Sequence, residues 1–251
     1  MYTAIVGVGF LAGFINTLAG SGSLLTLPLL MFLGLPANVA NGTNRIAILL
    51  QNIVGVSSFR QQKVLNIKDG LQLGLPAIIG SFIGAGIAVQ FNDDIMSLII
   101  GILLVIMFFL IIYKPDKWIN SQSEQIGGKP SWAQIIIFFF IGIYGGFIQA
   151  GVGFFLLAGL VLGTGLDLVR ANAIKVFIVL LYTPFALGVF IFHGQVNFTL
   201  GLVLAAGNML GALVGSRVAV SWGPKFIRIV LLVVILGSSL KLIGVFDLFF
   251  G

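Results

Sequence analysis

Ten apolar stretches, over residues 2–18, 23–35, 44–60, 69–90, 94–113, 133–149, 153–166, 173–192, 198–220 and 226–249, leave only short polar connections between them. A hydrocarbon core of roughly 30 Å asks for about 20 apolar residues per helical pass, and stretches of this kind supply them. A water-facing globule cannot be built this way. Only 8% of the 251 residues are charged, against about 25% in an average soluble domain, and a mean hydropathy of +1.17 would spread apolar surface everywhere. The expected fold class is all-α: a polytopic integral membrane protein of about eight to ten membrane helices, with no separate soluble domain. Residues 1–18 lack the basic start of a cleavable leader, so the first stretch is expected to stay as a helix.

One polar stretch interrupts the pattern. Residues 114–131 (KPDKWINSQSEQIGGKPS) carry two prolines, two adjacent glycines and mixed charge, which predicts a solvated linker between a first unit, 1–113, and a second, 132–251. The two units repeat. At a constant offset of 131 residues, and without a gap, Ala19-Gly20-x-Gly22 matches Ala150-Gly151-x-Gly153 and Gly34-Leu35 matches Gly165-Leu166. At the same offset Ala40-Asn41 matches Ala171-Asn172, Asn66 matches Asn197, and Gly80-x-x-x-Gly84 matches Gly211-x-x-x-Gly215. Apolar composition would pair leucine with leucine, but it would not place Asn on Asn and Gly on Gly. A duplicated unit of five segments explains the matches.

The basic residues decide the orientation of the copies. If each unit crosses an odd number of times, Arg60, Lys63, Lys68, Lys114, Lys117, Lys129, Arg170, Lys175, Arg217, Lys225 and Arg228 fall on one side, eleven against none; an even number splits them six against five. Positive residues collect on the cytoplasmic side, so the copies are expected to be inverted, with the 60s loop and the linker in the cytoplasm. Trp118, Trp132 and Trp222 lie at the same boundary, where interfacial aromatics gather. Inverted repeats are frequent in secondary transporters, which raises transport above structural or enzymatic roles. Residues 23–35 make only about 20 Å of helix, so a hairpin dipping from one face is expected in both copies.

Polar residues inside such a chain are candidates for binding. The glycine tips Gly20-Ser21-Gly22-Ser23 and Gly151-x-Gly153 either compact a hairpin or, through the helix N-termini that follow, bind an anion. Asn41, Thr43, Asn44 and Arg45, with Asn172 and Lys175 in the second copy, open otherwise apolar helices. The cations either snorkel to head groups or attract substrate, and the asparagines either cap helix N-termini or face a ligand. Gln51 and Asn52, the repeat-equivalent Tyr182 and Thr183, and Asn16 and Gln149 before the tips either line a cavity or bond between helices. Pro184 is expected to kink its helix. The Gly80/Gly84 and Gly211/Gly215 faces read as close helix packing, and His193 as a solvated loop residue.

Absences narrow the chemistry. There is no cysteine and only one histidine, so thiolate or histidine metal cages lack ligands. All seven acids, Asp69, Asp93, Asp94, Asp116, Glu124, Asp167 and Asp247, lie in or near connections or chain ends, leaving no buried carboxylate as a proton or sodium relay. The 13 basic residues are scattered, which does not suit nucleic acid.

From Gly13-Phe14-Ile15-Asn16-Thr17-Leu18-Ala19-Gly20-Ser21-Gly22-Ser23 through Leu27-Pro28-Leu29-Leu30 and Gly34-Leu35-Pro36 to Ala40-Asn41-Gly42-Thr43-Asn44-Arg45, the chain resembles the first signature of the sulfite exporter TauE/SafE family. Gly146-Phe147-Ile148, Ala150-Gly151-Val152-Gly153 and Ala171-Asn172-Ala173-Ile174-Lys175 resemble its second. The resemblance covers essentially the whole chain and implies a multi-pass permease of a prokaryotic plasma (inner) membrane for sulfite, organosulfonates or sulfoacetate. At Val152-Gly153-Phe154 the chain departs from the family, which often carries more glycine there. The sequence therefore reads as an alternating-access carrier whose partners are a small anion and membrane lipid, with no cofactor and with self-association into a homo-oligomer left open. A gated anion channel or a membrane anchor subunit is the alternative.

Overall fold

The computed structural model describes residues 2–113 and 130–242; the expected linker falls almost wholly outside them. Nine helices follow one another among the described residues: α1 (Tyr2–Ala19), α2 (Ser23–Phe32), α3 (Ala37–Gln61), α4 (Ile67–Ala88), α5 (Asp93–Tyr113), α6 (Trp132–Phe147), α7 (Val152–Thr164), α8 (Leu168–Phe192) and α9 (Phe198–Leu242). A break in α9 at Gly223 (φ 71°, ψ −170°) divides it in two. Four spans, α1, α4, α8 and the 198–223 part of α9, are long and apolar enough to cross a membrane. The all-helical membrane class is as expected.

The duplication is visible in the boundaries. α3 and α8 begin and end 131 residues apart, α4 and α9 begin 131 apart, and the part of α9 after Gly223 begins 131 residues after α5. Local chemistry explains part of this register. The repeated Asn66 and Asn197 sit just before α4 and α9; Asn66 Oδ1 accepts from the amides of Lys68 (3.1 Å) and Asp69 (3.4 Å), and Asn197 Oδ1 from that of Leu200 (3.0 Å). Such caps satisfy amides that a helix start leaves unpaired. The repeated Gly34 and Gly165 follow α2 and α7 at φ 88° and 68°, a conformation glycine adopts at little cost.

Equivalent helices run in opposite directions. At one end of the bundle the Ala37 amide donates to Asp93, Asn38 Nδ2 to Phe91 O (2.7 Å), Gln195 Nε2 to Val89 O (3.2 Å) and the Asn197 amide to Thr43 Oγ1 (2.8 Å). These bonds gather the starts of α3, α5 and α9 with the end of α4. At the other end Lys63, Asn66, Asp69, Leu166 and Arg170 line one cleft of about 170 Å³, and Gln62 Nε2 reaches Ser216 O at 3.4 Å. α3 and α9 thus run toward this second end, whereas α4 and α8 start from it. The second end carries the exposed Arg60, Lys63, Lys68, Arg170 and Arg217; the first carries Asp93, Asp94 and the exposed His193. We call them the basic and the acidic end.

The copies interlock. The most extensive helix pairings, α1 with α9, α4 with α6, α3 with α9 and α4 with α8, all join the two repeats. Small residues permit this approach: a Cβ on Gly80, Gly84 or Gly211 would collide with the carbonyl oxygen of Phe139, Ile143 or Phe10, so these faces pack as expected. Contacts of Gly207, Gly211 and Gly215 advance along α1 from Val6 to Phe10 to Phe14, so α1 descends with α9 from the acidic end. α2 then returns to that end. Its start packs back on α1, with Gly22 against Ala12 and Asn16, and its 10 residues span only about 15 Å. α6 and α7 make the inverse hairpin from the basic end. Pro184 does not interrupt α8, which is helical from Leu168 to Phe192.

Candidate functional site

The two hairpins meet tip to tip inside the bundle. Gly20 (φ 75°) and Gly151 (φ 72°) turn the chain, and the backbones of Gly20 and Gly153 approach so closely that a Cβ on either would overlap the other. α2 and α7 start at this contact behind Gly22 and Gly151, which offer no side chain to cap them. Two helix N-termini without side-chain caps, each a positive dipole end, therefore lie beside one another. Ser21 and Ser23 of the first tip and Gln149 of the second are buried around them.

Two cations flank the tips, each bonded across the repeats. Arg45 lies on α3, roughly 12 Å along the helix from the acidic end, and Lys175 on α8, roughly 10 Å from the basic end. They are 0% and 2% exposed. Arg45 Nη1 donates to Gly145 O (3.0 Å) and Nη2 to Gly146 O (2.6 Å) and Phe147 O (3.4 Å), while Asn41 Nδ2 also donates to Phe147 O (2.8 Å). The guanidinium also lies 4.7 Å from the centre of the Phe190 ring. Lys175 Nζ donates to Asn16 O (2.9 Å), Thr17 O (3.0 Å) and Asn172 Oδ1 (2.7 Å), and Asn172 Nδ2 to Leu18 O (3.0 Å). Each Asn and cation pair thus holds the C-terminal carbonyls of the other repeat's hairpin, where the helix dipole favours positive charge.

This arrangement excludes one of the two readings of the cations and one of the two readings of the asparagines. Neither cation snorkels, because both are buried on backbone oxygens. Asn41 and Asn172 cap no helix N-terminus: Pro36 and Asp167 hold those positions, and the asparagines, a full turn further in, serve helix C-termini instead.

The remaining candidates divide. Asn44 joins α3 to the first tip, accepting from Thr26 Oγ1 (2.7 Å) and donating to Ser23 Oγ (3.1 Å). Gln149 Nε2 donates to Tyr182 OH (3.0 Å), leaving Gln149 Oε1 buried with no partner among the described residues. Asn16 is half-buried beside Gly22. Thr43 Oγ1 accepts from the Asn197 amide (2.8 Å), Thr183 donates to Val179 O of its own helix (2.6 Å) and Asn52 to Ile48 O (2.7 Å); none of these bonds reaches a tip. Gln51 Oε1 accepts from Asn208 Nδ2 (3.2 Å). Asn208 was not expected; the repeat gives no signal for it, since its counterpart is Ala77, and only its being a lone amide in a small-residue stretch pointed to it. Among the described residues no group of acidic, cysteine or histidine side chains could hold a metal ion.

The fold and site define a class: an inverted-repeat membrane protein whose paired, broken hairpins enclose a positively charged centre. Comparison gives the particular family. The sulfite exporter TauE/SafE family model matches residues 5–242, and the chain belongs to that family, a family of membrane transporters. It is 30% identical over 235 residues to "Probable membrane transporter protein ORF9" of Sinorhizobium sp, covering 94% of this chain and 89% of that one. "Probable membrane transporter protein YfcA" of Escherichia coli K12 is 31% identical over 237 residues, covering 94% and 87%. YunE of Bacillus subtilis, of the same description, is 24% identical and covers 98% and 99%. No solved structure matches the chain.

Proposed function

We propose that this chain is a carrier, not an enzyme, that moves a small sulfur-containing oxyanion such as sulfite or an organosulfonate across a prokaryotic plasma membrane by alternating access. The carrying observation is electrostatic. Arg45 and Lys175 are buried on either side of the glycine tips with carbonyls, asparagines and, for Arg45, the Phe190 ring as partners, and no carboxylate is buried among the described residues. Buried charges are costly unless paired, so a mobile anion completes the balance. The helix starts at Ser23 and Val152 supply amides suited to an oxyanion.

The sulfur chemistry is what the family name suggests; dipoles and a few donors recognise charge and approximate size. With the basic end in the cytoplasm, an anion leaving the cell runs down an inside-negative potential, gaining about 2.3 kcal/mol per charge per 100 mV, and needs no carboxylate relay. The test is a melting-temperature screen of the purified protein against sulfite, thiosulfate, methanesulfonate and small carboxylates. Sulfur oxyanions raise the melting temperature with saturation. A shift with carboxylates alone would move the substrate assignment, and no shift with any anion would overturn the reading.

A further inference from the structure

The two cations are similarly placed but differ in capacity. A lysine ammonium has three N–H donors and an arginine guanidinium five. All three of Lys175 are engaged, by Asn16 O, Thr17 O and Asn172 Oδ1. Arg45 meets three carbonyls and Asn41 Oδ1 through Nη1 and Nη2, and its buried Nε has no partner among the described residues. An anion can therefore bond Arg45 while that residue still holds the end of α6. To bond Lys175 it must displace a carbonyl of α1.

We propose that Lys175 is an oxyanion-operated lock on the first hairpin: with no oxyanion it pins the end of α1 in the basic half of the bundle, and an oxyanion drawing on its ammonium releases that end and opens the basic side. Arg45 keeps the end of α6 pinned whether or not the anion is present. The two halves of the carrier then differ in what opens them, although they derive from one duplicated unit. This rests on the anion-carrier reading above. The repeat itself points to the difference: Lys175 is equivalent to Asn44, and Arg45 stands one position further along, so the two cations occupy different positions of the repeat.

The chain has no cysteine, so one introduced thiol reports cleanly. Ser216 is buried at the basic end, its hydroxyl bonded to Ser58 Oγ at 2.7 Å, and the neighbouring Gly215 packs on Phe14 and Thr17 of α1. Release of α1 would uncover it. The experiment measures labelling of Ser216→Cys by a membrane-impermeant maleimide from the basic side, with methanesulfonate or chloride present; sulfite is avoided because it reacts with maleimide.

Methanesulfonate is expected to accelerate labelling about fivefold or more, the lower end of ordinary coupling between linked sites. Lys175→Met is expected to label fast with either anion. Lys175→Arg, with donors to spare, labels slowly and ignores methanesulfonate, although methanesulfonate still raises its melting temperature. Should Lys175→Met fail to insert, Asn172→Ala removes two of the bonds at this site and is expected to label at an intermediate rate. The lock is overturned if Lys175→Met (or Asn172→Ala in its place) labels as slowly as the parent. It is also overturned if methanesulfonate raises the parent's melting temperature without accelerating labelling, or accelerates Lys175→Arg as strongly as the parent. Absence of any melting shift counts instead against carriage of sulfonates, and the lysine variant in chloride still decides the lock.

Discussion

Gly20 of the first hairpin and Gly153 of the second are in backbone contact, and neither position has room for a Cβ. They are not repeat equivalents, since Gly20 corresponds to Gly151 and Gly153 to Gly22. A two-fold relation between the copies pairs unlike positions in this way, residue i of one with residue j of the other.

Gly20→Val should reach the membrane in near-normal amount yet lose transport. The left-handed turn costs a non-glycine residue roughly 1–2 kcal/mol, and the added side chain forces the tips apart. Flux in proteoliposomes is expected to fall below about a tenth of the parent's, equivalent to ~1.4 kcal/mol or more on the barrier.

Gly84→Leu and Gly211→Leu should behave differently. Both glycines lie against backbone of the other repeat's first helix, so the bulk separates packed helices. The expected result is loss of folded protein, read as low yield of the monodisperse species in detergent.

Asn66→Ala and Asn197→Ala remove caps at the starts of α4 and α9. Each is expected to cost about 1 kcal/mol of stability, seen as a lowered melting temperature, with flux per folded molecule unchanged. A loss of flux without a loss of stability would place these residues on the transport path.

Arg45→Met leaves the carbonyls of Gly145 and Gly146 buried without their donor. An orphaned buried acceptor costs about 1–3 kcal/mol, so the melting temperature should drop. Arg45→Lys keeps the charge and should recover part of the stability. With three donors in place of five, it is expected to bind anions less tightly than the parent, in the same melting-temperature titration.

These predictions rest on features that were unequally readable in the sequence. Gly20 and Gly151 were legible because a tight turn needs glycine at a fixed position and the duplication shows it twice; Asn66 and Asn197 were visible only as a matched pair, and the caps they form came from the structure. The hairpins followed from the shortness of residues 23–35. The roles of Arg45 and Lys175 were not legible, because their partners are main-chain carbonyls a hundred residues or more away and any residue supplies a carbonyl. Asn41 and Asn172 looked like N-caps for the same reason: the type of side chain is visible in a sequence, but the identity of the helix end it meets is set by how the repeats interlock.

The most direct measurement is sulfite efflux from proteoliposomes under an imposed inside-negative potential. The account predicts efflux that saturates with internal sulfite, grows with the potential and disappears in Gly20→Val. Efflux no faster than from protein-free vesicles, or a current that rises without saturation and persists in Gly20→Val, would contradict it.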